Sequence, residues 1–240
     1  MKLLILFAGV ILFSPSFIYG EVLCPLKPAA SFSVDGNLSE WYLNPCPIFV
    51  KGKDIAYGKA KWNDNDDLGT LWLCWDKDYL YLAGEVTDDN IYQEGRVENM
   101  WAGDHLELYI DTEYKEGIEG PFGEGQFHIG FSPGNFANTG DFFFDIEAEA
   151  CVWHPERVDN TTIKVAALKT EKGYNIETAI PWKLLNVIPK QGMILGIDLC
   201  ISYSDTGIQD SMSSLVKGPW KSERREHLVP AKLVDIQGKF

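Results

Sequence analysis

The sequence contains no Cys-x-x-Cys pair, no His-Glu-x-x-His motif and no phosphate-binding glycine loop. Each absence removes a chemistry: the zinc ribbon, the zinc protease helix and the nucleotide cradle. A complete EF-hand loop is also missing. Internal repeats, low-complexity segments and linkers are absent. Beyond residue 20 no apolar run approaches the roughly 20 residues that span a bilayer. Basic residues are scarce, 21 Lys and Arg against 35 Asp and Glu, for a formal net charge of −14 and a pI near 4.7. That balance opposes binding to nucleic acid or anionic lipid, both polyanions. It is compatible with a neutral partner such as a sugar, or with a bound cation.

What is present begins with a leader. Lys2 precedes the apolar run Leu3 to Phe13, Ser14-Pro15-Ser16 breaks it, and Gly20 is a small residue suited to cleavage. This order predicts a signal peptide over 1–20, a secreted or periplasmic product, and a single domain over 21–240. Leu23 before Cys24 argues against lipidation. Export permits disulfides. The five cysteines, Cys24, Cys46, Cys74, Cys151 and Cys200, leave at least one unpaired within the chain. Cys24 and Cys46 flank the first strand region and could bridge; Cys74 and Cys200 lie in strand-like runs suited to buried thiols.

Short alternating runs bounded by Gly, Asn and Asp dominate the remainder, the pattern of an all-β protein. Lys59–Trp62 and Thr70–Trp75 read as strands. Tyr79–Val86 follows the turn Asp76-Lys77-Asp78, giving a hairpin. Further strands are expected at 104–112, 126–132, 162–170, 174–180, 194–204 and 232–236. Pro181 to Leu185 suggests a helical turn with Pro at its start. The Gly- and Glu-rich stretch 113–125 reads as a mobile loop between two strands. The predicted fold class is a β-sandwich of two antiparallel sheets, jelly-roll-like.

One strand carries the candidate chemistry. In Asp104–Asp111, Leu106, Leu108 and Ile110 share one face, while His105, Glu107, Tyr109 and Asp111 share the other. Phe127, Ile129 and Phe131 alternate likewise against Gln126, His128 and Gly130. Pairing of the two strands would join their polar sides into one wall, which in an ordinary sheet simply meets water. Trp101 lies just before the first strand, among polar and flexible neighbours. A sugar ring offers an apolar C–H face and a rim of hydroxyls, so an aromatic plate beside carboxylates, amides and imidazoles is the arrangement that would hold it.

Several segments resemble the family 9 carbohydrate-binding modules. They are Val34-Asp35-Gly36-Asn37-Leu38-Ser39-Glu40-Trp41, Leu73-Cys74-Trp75-Asp76-Lys77-Asp78-Tyr79-Leu80-Tyr81, Trp101 to Asp111, Gln126-Phe127-His128, and Tyr174 to Trp182, in family order over about 32–236. The resemblance implies a two-sheet sandwich and a non-catalytic module that binds oligo- or polysaccharide. It implies that Trp101 stacks on the sugar and that Glu107 bonds its hydroxyls. Tyr109, Asp111 and Gln126 would shape the wall. The family's rim arginine and asparagine correspond to His128 and Gly130, so one donor is altered and one is missing. A second tryptophan closes the family's clamp; its place falls near Leu215, and Trp220 is the residue that could supply the ring. The family also binds calcium structurally. The clusters Asp64, Asp66 and Asp67, or Asp88, Asp89 and Asn90, are the places for that ion.

Three rivals remain at this level. Asp145, Glu147 and Glu149 would lie on one strand face, and retaining glycosidases use two carboxyls about 5 Å apart; the row lacks a flanking tryptophan. A b-type haem domain of a periplasmic oxidoreductase would need an axial pair, for which Met100, His105 and His128 are available. A surface interaction domain with a decayed sugar site is the third. The expectation is a binding module, with any glycoside hydrolase on a separate chain.

Overall fold

The computed structural model describes residues 21–28, 32–58, 67–136, 145–156, 158–216 and 223–236. In chain order the strands are β1 (Val22–Pro25), β2 (Ile48–Lys51), β3 (Ile55–Gly58), β4 (Asp67–Trp75), β5 (Tyr79–Thr87), β6 (His105–Asp111) and β7 (Gln126–Ser132). They continue with β8 (Glu149–His154), β9 (Lys164–Lys169), β10 (Gly173–Pro181), β11 (Ile194–Tyr203), β12 (Ser211–Ser214) and β13 (Val229–Val234). The helical segments among the described residues are short 3-10 turns. The leader expected at 1–20 and the strand expected at Lys59–Trp62 lie outside the described residues.

Two sheets form a sandwich. One runs β1-β13-β11-β6-β7-β8, with β12 paired to β11 and to β3; the other runs β2-β4-β5-β10-β9. Every pairing is antiparallel except β1 with β13. The alternation in β6 explains the stacking. Leu106, Leu108 and Ile110 are fully buried and join Phe127, Ile129 and Phe131 of β7 in one core. Leu71, Leu73, Leu82 and Ile176 of the second sheet belong to the same core.

The β4–β5 hairpin forms as its sequence predicts. Asp76 Oδ1 accepts from the backbone N–H of Asp78 and Tyr79, both at 2.8 Å, which sets the tight turn. After β10 the chain makes a hydrogen-bonded turn over 182–186 rather than a helix, and the Trp182 indole N–H reaches back to the Asp76 carbonyl at 2.8 Å. The Val34–Trp41 segment is tied to β10 by Glu177. Its carboxylate accepts from Asp35 N (2.9 Å), Gly36 N (2.6 Å) and Trp41 Nε1 (2.5 Å). Gly36 has φ +83, and a Cβ there would press on the backbone of β9, so the turn that feeds Glu177 requires glycine.

Four sequence expectations are corrected. The strand expected at 162–170 starts at Lys164, because Asn160–Thr162 forms a 3-10 turn capped by Asp159. The last strand runs Val229–Val234 rather than 232–236, since it pairs β11 from Val229 onward. The carboxylate row at 145–149 is not a strand face: residues 145–148 are irregular, and β8 begins only at Glu149. No disulfide forms; Cys24 and Cys46 are both thiols, with Cys24 buried and Cys46 half-buried.

Candidate functional site

The polar face of β6 does not meet bulk water. His105, Glu107, Tyr109 and Asp111 are all at most 5 % exposed. The reason is chain return. Strands β12 and β3 continue the same sheet beyond β11, and on this face Tyr109 clusters with Ala56, Met212 and Leu228, backed by Phe122. The 113–125 loop is held down as well: Phe122 N donates to Glu223 O at 2.8 Å, and Arg225 N to Gly120 O at 2.9 Å. What stays open is a cavity of about 510 Å³, lined by Trp101, Glu107, Tyr109, His128 and by Tyr57, Glu98, Trp153, Ile208, Gln209, Met212 and Glu223.

Trp101 stands at its mouth, 50 % exposed. It belongs to the 3-10 turn Val97–Ala102, whose neighbour Met100 is fully buried as a plug. Gln93 Nε2 bonds the carbonyls of Met100 and Asp104, at 3.1 and 3.0 Å. Trp153 Nε1 donates to Glu98 O at 3.1 Å, and Val97 N to Glu149 Oε1 at 2.9 Å. The exposed ring thus sits on a braced turn, which reduces the ordering cost of stacking a ligand on it.

Behind Trp101 runs a chain of charged and aromatic groups. Glu107 Oε1 lies 2.9 Å from His105 Nε2. Glu107 Oε2 accepts from Tyr109 OH at 2.8 Å and from His128 Nε2 at 3.0 Å. His128 Nδ1 faces Glu223 Oε1 at 3.3 Å, and His154 Nδ1 faces Glu223 Oε2 at 3.5 Å. The His128 ring stacks on Tyr109 with centroids 4.0 Å apart and tilts against Trp153 at 4.7 Å. Burial would raise the Glu107 carboxyl, but the bonds from His105 and His128 outweigh it and hold the group well below the ordinary carboxylate range. Burial pushes His128 down, while Glu107 and Glu223 more than compensate and raise it above 6.5. Burial, then the Glu107 charge, raises the Tyr109 phenol, which remains a donor. The hydrogen bond from His128 lowers Glu223.

Of the residues the sequence singled out, Trp101, Glu107, Tyr109 and His128 meet at this cavity. Asp111 and Gln126 do not. Gln126 Nε2 bonds Asp111 Oδ1 at 2.8 Å, and Arg225 takes Asp111 Oδ2 at 2.8 Å. They close the far end of the β6–β7 ladder and are spent on each other. Trp220 lies outside the described residues. Sequence reasoning missed Trp153 and Glu223. Trp153 fills the space above Gly130, where a Cβ would collide with its six-membered ring. The side chain missing at Gly130 is therefore replaced by an indole from the neighbouring strand. Recognising β8 from Cys151-Val152-Trp153-His154 would have revealed it.

Elsewhere, Asp88, Asp89 and Asp205 offer carboxylate oxygens within 4.8 Å of one another, with Asp88 buried. Asp205 joins Asp88 and Asp89, where the sequence reading grouped them with Asn90. Asn90 Nδ2 instead lies 3.4 Å from Asp205 O. Burial first, and the Asp88 charge second, raise the neighbouring Asp104 carboxyl. An all-oxygen set beside crowded negative charge fits a hard cation such as calcium. Asp64 and Asp66 lie outside the described residues, and Asp67 enters only as the backbone start of β4. The residues do not fit haem. Both ring nitrogens of His105 and of His128 are engaged, and Met100 is sealed in the core.

The β-sandwich thus carries a braced, half-exposed tryptophan beside a row of polar side chains. The carbohydrate family 9 binding domain-like profile matches residues 34–218, and the chain belongs to that family. Its members are non-catalytic binding modules. Endo-1,4-beta-xylanase A of Thermoanaerobacterium saccharolyticum is 26 % identical over 172 residues, 72 % of this chain and 12 % of that protein. Exoglucanase XynX of Acetivibrio thermocellus is 26 % identical over 157 residues, 65 % of this chain and 12 % of that protein. The chain thus spans about an eighth of the length of these relatives. A family 9 carbohydrate binding module from Caldicellulosiruptor kristjanssonii, solved with cellotriose, superposes with a TM-score of 0.66 at 14 % identity, covering 90 % of this chain and 94 % of that one. The glucose complex from the same organism gives 0.65 at 15 % identity, over 90 % and 96 %. These likenesses establish the fold. Among the described residues no helix is long and apolar enough to cross a membrane.

Proposed function

We infer that the chain binds an oligo- or polysaccharide in the cavity beneath Trp101 and serves polysaccharide breakdown outside the cell or in the periplasm. The braced, half-exposed Trp101 that lines one cavity with His128 and Glu223 is the observation that carries this reading. Trp101 takes the C–H face of a sugar ring. His128, Glu223 and the amide of Gln209 take hydroxyls at the rim. Glu107, with both oxygens engaged, holds His128 and Tyr109 in place and offers its remaining acceptor capacity to the ligand. Trp153 forms the inner aromatic wall. The solved neighbours in complex with cellotriose and glucose support a glucan-type ligand, and the xylanase and exoglucanase relatives support the link to polysaccharide breakdown. The leader pattern of Met1–Gly20 supports export.

Isothermal titration with cello- and xylo-oligosaccharides, wild type beside Trp101→Ala, tests the reading. Heat that disappears in the folded variant is expected. Absence of heat with every glycan overturns it.

A structural calcium at Asp88, Asp89 and Asp205 belongs to the same reading. It would tie the end of β5 to the turn after β11 and would contribute no chemistry to the sugar.

A further inference from the structure

The cavity's charge is one-sided. Three carboxylates line it, those of Glu98, Glu107 and Glu223, against a single basic side chain, His128. No Lys or Arg is among the described residues that line it. The nearby arginines are turned elsewhere. Arg96 pairs with Glu149 at 3.3 Å, Arg225 with Asp111 at 2.8 Å, and Arg224 with Glu226.

Two of the three carboxylates have capacity to spare. The Glu98 side chain is exposed, and its backbone carbonyl, not its carboxylate, takes the Trp153 indole. Glu223 is 39 % exposed and receives His128 and His154 at 3.3 and 3.5 Å, one on each oxygen. An ionised carboxylate accepts about four hydrogen bonds. The indole faces that line the cavity, Trp101 and Trp153, also attract cations through their quadrupoles.

We propose that this cavity selects a glycan bearing a protonated amine, a deacetylated 2-amino sugar, over neutral and uronate-bearing glycans; the proposal rests on the sugar-binding reading of the same cavity. The sugar's C–H face stacks on Trp101 while its ammonium donates to Glu223 and Glu98. A uronate would set its own carboxylate against those two groups. N-acetylation removes the charge and the advantage together.

The test is calorimetric titration of the protein, without its leader, with a glucosamine trimer at pH 6. Its N-acetylated form, the neutral glucose trimer and a galacturonate trimer are run beside it. The expected result is that the glucosamine trimer binds at least about fivefold tighter than the glucose trimer, the scale of one partly exposed ion pair. The advantage should shrink on going from about 0.02 M to about 0.5 M salt, where the Debye length falls to a few ångströms. Glu223→Gln and Glu98→Gln should each lower the ratio of the two affinities. Equal binding of the glucosamine and glucose trimers overturns the proposal and leaves the sugar reading intact. Undiminished glucosamine binding by folded Trp101→Ala also overturns it, since the attraction would then be that of a polyanion for any polycation. Binding of none of the four removes both readings.

Discussion

Replacing Glu107 by Gln should be the most costly near-isosteric change in this protein. The Glu107 carboxylate is 5 % exposed and serves His105 Nε2 at 2.9 Å, Tyr109 OH at 2.8 Å and His128 Nε2 at 3.0 Å. A glutamine offers one acceptor oxygen and one donor nitrogen. If the nitrogen takes the Oε1 position it can donate to His105 Nε2, in the tautomer whose Nδ1–H is committed to Gly103 O at 2.8 Å. If it takes the Oε2 position it confronts both Tyr109 and His128. In the second orientation a buried donor meets two donors, and in both the negative charge is gone. Breaking a buried charge network from one side costs about 3 kcal/mol or more. For a chain of this size that lowers Tm by about 6–12 °C, followed by circular dichroism.

The pH dependence carries the sign. Glu107 is depressed below its ordinary 4.5 in the folded protein. Its contribution is complete above 4.5 and fades as pH falls through the depressed value. The gap between wild type and Glu107→Gln should therefore be full at neutral pH and narrow in acid. A variant melting within about 2 °C of wild type at pH 7 would refute the three-donor network.

The remaining predictions concern neighbouring groups. His128 is raised above 6.5, so it contributes stability below 6.5 that is lost as pH rises through its folded value; its imidazole proton resonance should titrate with a midpoint above 6.5. A midpoint at or below that value would remove Glu107 and Glu223 as its partners. Gly130→Ala should cost about 1–3 kcal/mol and alter the near-ultraviolet tryptophan signal, because Trp153 occupies the space its Cβ would need. An unchanged spectrum and melt would mean that Trp153 packs elsewhere. Calcium should raise Tm and a chelator lower it, by about 2–4 °C per kcal/mol of binding linkage, and Asp88→Asn should abolish the response. Identical melts with and without calcium would leave Asp88, Asp89 and Asp205 an ordinary acidic cluster.

The sandwich was legible because β6 and β7 alternate strictly, a period of two that sets one side-chain row toward the core, and because two β-rich runs bracket the tight polar turn of the β4–β5 hairpin. The site was half legible. Trp101, Glu107, Tyr109 and His128 sit on or next to that alternating ladder, so their convergence followed from register alone. Asp111 and Gln126 obeyed the same alternation yet face Arg225 at the far end of the sheet, because a shared face does not fix a position along it. Trp153 was hidden because β8 alternates weakly and follows an irregular acidic stretch. Glu223 was hidden because it reaches the cavity only through the return of the segment before β13, a long-range placement that no local pattern encodes. The same return covers the polar wall that local alternation would leave in water.

The most direct test is a crystal structure of the protein with a bound gluco-oligosaccharide. A sugar ring stacked on Trp101, with hydroxyls within hydrogen-bond distance of His128 and Glu223, is the result this account predicts. A sugar bound on any other surface, with the Trp101 cavity holding only water, would contradict it.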